Sequence, residues 1–297
     1  MRNIIYIINP ISGSGAKMGL QKLIEQKTTA AGIPFQIFPS VASGDYSFLI
    51  PIIKEKKITD VVIAGGDGTV SQVAGSLMSS DVNFGILPLG SGNGLAYTAK
   101  IPRETSKALE IIFSGKPSAI DGFYVNGQFA CMLCGLGFDA KVAHEFAKKS
   151  GRGLATYASL ISRNFFAAEA YHFTVKSNGL TFSTEAFFIS IANSNQFGNN
   201  FKIAPKALLS DGLLDIVIAK KTAKPLLLFN LVKQILAGRI NKIENSLRLP
   251  VIYFQTQSLT IENISNAPLH IDGDPAETPE RLIIEVREKC FRLIQPL

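Results

Sequence analysis

The chain has 297 residues, 46% of them hydrophobic and 18% charged, so it is long enough for two domains and too apolar for general disorder. Its three cysteines, Cys131, Cys134 and Cys290, argue against a disulfide-stapled secreted scaffold because the number is low and odd. The net charge of +7 favours anionic partners but does not by itself choose among nucleic acid, membranes and phosphorylated small molecules.

The first 117 residues alternate predicted strands with predicted helices. Strands are expected at residues 3–9, 34–39, 60–64 and 84–87, and apolar spacing predicts helices over residues 20–31 and 48–53. Short loops between strands and helices predict a parallel sheet with helices on both faces. No apolar run approaches the roughly 20 residues that cross a bilayer, and the apolar start is too short for a signal peptide, so we expect a soluble, cytoplasmic protein.

After residue 117 the pattern changes to short runs rich in β-branched and aromatic residues. These runs predict strands within residues 123–134, 171–175, 186–192, 214–219, 251–254, 258–264 and 281–286, with helices near 140–168 and 225–238. Asn126-Gly127 and Asn178-Gly179 predict tight hairpins. We expect a β-sandwich or mixed sheet. Cys131 and Cys134 are interpreted as part of a buried strand, because no second cysteine pair is present to complete a zinc site.

Three glycine-bearing loops follow predicted strands of the first half. Asn9-Pro10-Ile11-Ser12-Gly13-Ser14-Gly15 follows the first, Gly65-Gly66-Asp67-Gly68-Thr69 the third, and Leu89-Gly90-Ser91-Gly92-Asn93-Gly94 the fourth. The carboxyl ends of parallel strands meet at one edge of the sheet, where ligands of α/β proteins bind. Glycines let the backbone approach an anion, and a helix N-terminus offers unpaired N–H groups. The three loops together predict a phosphate-binding site.

Other sequence motifs fit poorly. A Walker A loop would need Gly before its lysine, whereas Ala16 precedes Lys17. Gly13, Gly15 and Gly19 are one residue away from the dinucleotide-binding spacing, and no acidic residue ends the second predicted strand. The histidines, His144, His172 and His270, are far apart in sequence and form no recognisable motif, so each is interpreted as structural or exposed.

An ordered set of motifs resembles the diacylglycerol kinase catalytic domain superfamily, which includes bacterial lipid kinases, sphingosine kinases and ceramide kinases. The set consists of Asn9-Pro10 with Ser12-Gly13, Gly65–Thr69, Pro88–Asn93, Gly135–Ala140, Ile203–Pro205 with Ser210–Asp215, and Ile271–Asp274. The resemblance implies an α/β nucleotide-binding domain, like that of NAD kinases and diacylglycerol kinases, over residues 1–117 joined by 288–297. It also implies a β-rich, sandwich-like lipid-substrate domain over residues 118–287, with the active site in the cleft between the domains.

The resemblance also implies roles for nucleotide-binding residues. ATP would be bound by Asn9, Ser40, Ser91 and the segment Gly65, Gly66, Asp67, Gly68, Thr69, Val70 and Ser71. Asp67 would either help to hold the Mg²⁺ bound to the phosphates or assist the acceptor hydroxyl. For Ser40, an exposed loop serine is an equally open interpretation.

Acidic residues of the second half would supply the base and a metal site. By resemblance Asp274 is the general base, although the family has Glu there and Asp is shorter by about 1.5 Å. Asp211, with the backbone carbonyls of Leu208 and Leu213, would bind a structural Mg²⁺. A plain β-turn is the alternative interpretation at Asp272-Gly273, and a type I turn at Asp211.

The acceptor and the assembly stay open. We expect a lipid hydroxyl of diacylglycerol or a sphingoid base as acceptor, met at a membrane surface by peripheral association, with no nucleic-acid partner and with a homodimer as one assembly. The loop Asn195–Asn200, poorer in glycine than in relatives, and the Gly-Ser-Gly-Asn form of the third loop both bear on the acceptor. Alternatives are a kinase of NAD or another small molecule, and an inactive binding relative.

The basic, apolar stretch Lys220–Lys242 predicts either a helix packed on the β-rich domain with a solvated basic face or a helix lying on a bilayer.

Overall fold

A computed structural model of the chain describes residues 2–10, 17–147, 154–196, 203–240 and 243–297. The chain forms two compact units, one of Met1–Ile120 with Lys289–Leu297 and one of Asp121–Glu288. Parts of two predicted loops, residues 11–15 and 197–200, lie outside the described residues.

The first unit alternates strands and helices. Its elements are β1 (Ile4–Ile8), α1 (Lys17–Ala30), β2 (Phe35–Pro39), α2 (Leu49–Glu55), β3 (Asp60–Gly65), α3 (Asp67–Leu77), β4 (Asn83–Pro88), α4 (Gly94–Thr98) and α5 (Thr105–Ser114). The end of the last strand of the chain, β15 (Arg281–Gln295), also belongs to this unit. The predicted strands are therefore confirmed to within one or two residues.

The strands of the first unit form a parallel sheet in the order β2-β1-β3-β4-β15. β1 and β3 are buried almost throughout, as expected of strands covered on both faces. β2 lies on one side of β1, and β3 and β4 lie on the other, so the strand order reverses direction at β1. Right-handed connections therefore place α1 and α2 on opposite faces of the sheet. The reversal also makes the carboxyl ends of β1 and β3 the position where α/β sheets bind ligands.

The second unit is β-rich and sandwich-like. Its elements are β5 (Lys116–Val125), which begins in the first unit, β6 (Gln128–Ala130), β7 (Leu133–Gly137), α6 (Phe138–Ala147), α7 (Leu154–Phe165), β8 (Tyr171–Ser177), β9 (Leu180–Ala192), β10 (Leu214–Lys220), α8 (Lys224–Ala237), α9 (Ile243–Ser246), β11 (Val251–Thr256), β12 (Ser258–Asn263), β13 (Leu269–Ile271), β14 (Asp274–Ala276) and the first part of β15. Strand β9 pairs antiparallel with β7, β8 and β10, and the aliphatic side chains of these strands fill a shared core.

Both predicted hairpins of the second unit are confirmed. Asn126 and Gly127 have φ values of 48° and 84°, and Asn178 and Gly179 have values of 51° and 76°. Two consecutive left-handed residues are the signature of the tight turn that matches the twist of paired strands. The predicted run over residues 123–134 is interrupted, because the chain leaves the β6 strand at Cys131 and enters β7 only at Leu133. Cys131 and Cys134 are buried, and neither forms a disulfide.

Candidate active-site residues

The loop after β3 lies beside the loop after β1. Gly66 is extended, with φ −97° and ψ −177°, and α3 begins at the next residue. The Nδ2 of Asn9 donates to Oγ1 of Thr69 over 2.8 Å. A side chain on Gly65 would come within 2.9 Å of Thr69, so glycine is required for this approach. The first N–H groups of α3 have no acceptor within the helix, which leaves this end suited to an anion.

The loop after β4 crosses the loop after β3 in backbone contact. A Cβ added to Gly90 would lie 2.6 Å from the Cα of Gly66, closer than atoms can approach without a shift of the backbone. The side chain of Asn93 closes the second loop: its Oδ1 accepts from the Gly90 N–H at 2.8 Å, and its Nδ2 donates to the Gly90 carbonyl at 2.7 Å. Asn93 is left-handed, with φ 55°, a conformation that Asn tolerates. The sequence placed Gly90 and Asn93 in a predicted phosphate loop but assigned neither of them a role of its own.

The carboxylate of Asp67 binds the backbone of α4. Oδ2 accepts from the N–H of Gly94 at 3.0 Å, and Oδ1 accepts from the N–H of Leu95 at 3.2 Å. The negative side chain thus lies at the N-terminus of α4, where unpaired N–H groups favour it. Asp67 therefore links the two glycine loops, a contact that the sequence did not predict.

We expect Gly90→Ala to raise the KM for ATP about tenfold or more, because the new methyl group must push the two loops apart and small misplacements in the predicted phosphate site are costly. Steady-state kinetics with varied ATP measures the effect. Gly19→Ala is the matched control, since Gly19 lies in α1 with nothing within 4 Å of its added Cβ. An unchanged KM in the Gly90 variant would contradict the crossing of the loops.

The remaining nucleotide residues predicted from the sequence have varied surroundings. Ser40 follows β2, its N–H donates to the Ile8 carbonyl at 2.9 Å, and its hydroxyl bonds the buried Tyr46 side chain. Val70 and Ser71 are buried within α3. Ser91 is half-buried in the loop that Asn93 closes. Among the predicted set, Asn9 and Gly65–Thr69 are brought together most directly.

In the second unit, the predicted base lies beside a tight turn. β13 and β14 are joined by Asp272 and Gly273, with φ values of 48° and 87°. Asp272 is buried, and its carboxylate accepts from three backbone N–H groups, those of Cys131, Met132 and Leu133, at 2.8–3.0 Å. Asp274 is the first residue of β14, paired with Ile271 and exposed to solvent. Asp272 therefore anchors the turn to the backbone of residues 131–133, and Asp274 next to the turn is exposed to solvent.

A buried histidine packs under the same turn. The N–H of Gly273 donates to Nδ1 of His270 at 3.3 Å, and Nε2 of His270 lies 3.5 Å from Oδ2 of Asp139. A side chain on Gly135 would overlap Asp139 and His270, so this glycine makes room for the pair. The interpretation of His270 as structural agrees with these contacts. Asp139 and Asp272 had no assigned role, and only the Gly-Phe-Asp-Ala and Asp-Gly motifs around them signalled their positions.

Asp211 and Asp215 lie in the segment before and within β10, and Asp121 of β5 lies beside them. Desolvation raises the pKa of Asp211, and the negative charge of Asp121 raises it further. Burial raises the pKa of Asp215 to about 6. Oδ1 of Asp211 accepts from the Leu213 N–H at 3.1 Å, and Oδ2 of Asp121 accepts from the Gly212 N–H at 2.8 Å. Negative charge is thus concentrated beside a turn whose backbone oxygens are hard ligands.

Side chains alone do not form a metal centre in the part of the chain that the structure describes. No group of three or more His, Cys, Asp or Glu residues there lies close enough to hold an ion. A cation near Asp211 would therefore need backbone carbonyls as further ligands. Within the same described ranges, no helix has both the length and the apolar character to cross a membrane.

Family models match both halves of the chain. The model of the diacylglycerol kinase catalytic domain matches residues 3–125, and the model of the YegS C-terminal NAD kinase beta sandwich-like domain matches residues 133–295. These matches confirm the resemblance and the fold class predicted from the motifs.

Individual relatives and solved structures are similar over most of the chain. A "probable lipid kinase YegS-like" protein of Pectobacterium atrosepticum is 29% identical over 250 residues, covering 82% of this chain and 80% of that protein. A protein of the same name from Yersinia pestis is 30% identical over 226 residues, covering 73% of each. The crystal structure of a diacylglycerol kinase from Bacillus anthracis str. Sterne has a TM-score of 0.73 at 20% identity, covering 99% of this chain and 97% of that one, which shows a common fold.

Proposed function

This chain belongs to the family of YegS-like lipid kinases, whose first half is a diacylglycerol kinase catalytic domain, and from this we propose that it phosphorylates a hydroxyl group of diacylglycerol or of a sphingoid base. The observation that carries the proposal is the match of both halves to the family, in the same order as the motifs. The kinase family implies ATP as the phosphate donor.

The crossed glycine loops are the proposed site for the ATP phosphates. Gly65, Gly66 and Gly90 keep side chains away from the crossing, so a phosphate can approach backbone N–H groups at the N-terminus of α3. Phosphoryl transfer asks the protein mainly to position the groups and to stabilise charge. Asp67 serves this purpose by holding α4 against the phosphate loop.

Mg²⁺ is the proposed metal, with Asp211 and the backbone carbonyls of Leu208 and Leu213 as its ligands in the second unit. The residues fit a hard cation, because the donors are oxygens and because desolvation, together with the negative charge of Asp121, raises the pKa of Asp211. A bound cation there would neutralise the acidic segment and fix the turn before β10. The Mg²⁺ that accompanies ATP would screen charge on the phosphate oxygens.

Asp274 is the proposed general base. Its exposed carboxylate can take the proton of the acceptor hydroxyl as the oxygen bonds to the γ-phosphorus and ADP leaves.

We expect Asp274→Ala to lower kcat about 100-fold with little change in thermal stability, because the side chain is solvent-exposed. Asp274→Glu should retain most of the activity, since it restores the carboxylate usual in the family. Equal turnover in the wild type and the alanine variant would exclude Asp274 as the base.

The acceptor is tested with a panel. Purified protein is incubated with γ-labelled ATP and Mg²⁺ and, separately, with diacylglycerol, sphingosine, NAD or no acceptor in mixed micelles. Label in one of the two lipids supports the proposal. NAD is included because the second half matches an NAD kinase beta sandwich-like model. Label in NAD alone would show that the acceptor is NAD and not a lipid. No labelled product with any acceptor would indicate a relative that binds its ligands without catalysis.

A further inference from the structure

Helix α8 has apolar side chains on the face opposite its buried one. Leu227 is fully buried and, with the partly buried Leu231, packs the helix onto the β-rich core. At 100° per residue, Phe229 and Leu236 lie on the opposite side, and they are 65% and 83% exposed. The large exposed apolar residues of the helix are Leu226, Leu228, Phe229, Val232 and Leu236, which we call the outer face of α8. A helix that stays in water is expected to have a polar outer face, so this one indicates a partner.

A further aromatic side chain lies next to the start of the helix. Nζ of Lys224, the first residue of α8, donates to the backbone carbonyl of Phe166, and the Phe166 side chain is well exposed. Ile240, three residues after the end of the helix, is also exposed. Exposed apolar side chains are therefore also present near both ends of helix α8.

The charged residues in the stretch of sequence around α8 are all basic, and one of them, Lys221, pairs with Glu185 of β9. No Asp or Glu occurs between Asp215 and Glu244, and this stretch contains the basic residues Lys220, Lys221, Lys224, Lys233, Arg239 and Lys242. Such a surface attracts anions and repels a copy of itself. An apolar helix face bordered by lysine and arginine is the arrangement that binds the interface of an anionic bilayer.

We propose that the outer face of α8 inserts into the surface of an anionic membrane, with the bordering basic side chains on the lipid headgroups. This inference rests on the proposed lipid acceptor, which has to be reached in a bilayer, and it assigns the contact to one helix. A second copy of the chain is the less favoured occupant, because two such faces would bring two mainly basic borders together. Membrane contact also accounts for the outward position of the Phe229 ring.

The experiment measures binding to vesicles of phosphatidylcholine with phosphatidylglycerol, without ATP and without an acceptor lipid. The test variant is Phe229→Gln with Leu236→Gln. The matched control is Ile264→Gln with Leu297→Gln, since these side chains are 64% and 85% exposed, almost the same as the tested pair. All four side chains are exposed, and thermal unfolding verifies that both double variants fold as the wild type does.

We expect the wild type and the control to sediment with the anionic vesicles, and the α8 variant to partition about 10- to 100-fold more weakly, because two large apolar side chains no longer enter the bilayer. Lys233→Gln with Arg239→Gln should weaken binding about tenfold at low salt and less at high salt. Wild-type binding should fall when phosphatidylglycerol is omitted.

Three results would overturn the inference: no binding by the wild type, equal binding by the α8 variant, or equal loss in the control. A wild-type dimer in sedimentation velocity that the α8 variant converts to a monomer, without vesicle binding, would assign the face to a second copy instead. Because the vesicles contain neither ATP nor acceptor, the result is independent of turnover. A failed kinase assay would leave the binding result standing, and the reverse also holds.

Discussion

Asp67→Asn is expected to lower kcat at least about 1000-fold, the largest effect on activity that we predict. The wild-type carboxylate accepts from two backbone N–H groups of α4, those of Gly94 and Leu95. An amide side chain keeps one acceptor oxygen and turns an NH₂ group toward the other N–H. The two glycine loops then lose their link, and the negative charge beside the proposed phosphate site is removed.

Single-turnover kinetics and ATP binding together measure the effect of Asp67→Asn. Asp81→Asn is the matched control, because it removes the same charge from the same unit at an exposed carboxylate paired with Arg292, where ion pairs contribute little. The control should keep wild-type turnover. More than a tenth of wild-type activity in the Asp67 variant would show that the link between the loops is dispensable.

The second large effect is on stability: Asp272→Ala should lower the free energy of unfolding by about 3–5 kcal/mol. The substitution leaves the N–H groups of Cys131, Met132 and Leu133 without their acceptor in a buried setting. It also puts alanine at a φ of 48°, a left-handed conformation that Asp tolerates better. The chain between β6 and β7 and the turn before Asp274 are therefore expected to loosen together.

Denaturant unfolding measures this loss, and amide hydrogen exchange localises it to residues 131–133. Asp272→Asn should lose less than the alanine variant, because asparagine adopts positive φ and keeps one acceptor oxygen. Glu277→Ala is the control, because Glu277 follows shortly after Asp272 in the chain and is exposed. It should change the unfolding free energy by no more than about 0.5 kcal/mol. Unchanged protection at residues 131–133 in the Asp272→Ala variant would refute the anchoring role.

Local rules were sufficient for much of the fold. The strand–helix alternation predicted the parallel sheet, and Asn-Gly pairs predicted both hairpins, because each of these features is determined by a few neighbouring residues. Parallel strand geometry also brings the carboxyl ends of β1, β3 and β4, which the three glycine loops follow in sequence, to one sheet edge. The motif order led to the family, which the family models confirm.

Long-range hydrogen bonds could not be predicted in the same way. Asp272 lies 141 residues after Cys131 in the chain. The Asp-Gly pair therefore indicated only a turn, and it did not indicate that the carboxylate would accept hydrogen bonds from three distant N–H groups. The Asp67 contact with α4 likewise depends on how two separate loops cross. Such contacts depend on tertiary packing, and the local patterns of a single sequence do not show which distant segments pack together.

The orientation of α8 was also beyond the sequence. Apolar residues occupy almost every side of the helix, so their spacing does not identify one buried face. The structure buries Leu227 and leaves Phe229 outward, which makes the solvent face apolar as well as basic. Of the two interpretations given for Lys220–Lys242, the helix packs on the β-rich core, yet its outer face is not the plainly solvated basic one.

Strand β15 has a consequence for biosynthesis. Its residues Arg292 and Leu293 pair with β4, and the Phe291 ring packs edge-on against Phe84 with centroids 5.6 Å apart. Until that segment has left the ribosome, the nascent N-terminal sheet has a bare border at β4, open to pairing with other polypeptides. A fragment of residues 1–120 is accordingly expected to aggregate during expression, and chaperones have a specific edge to shield while translation finishes.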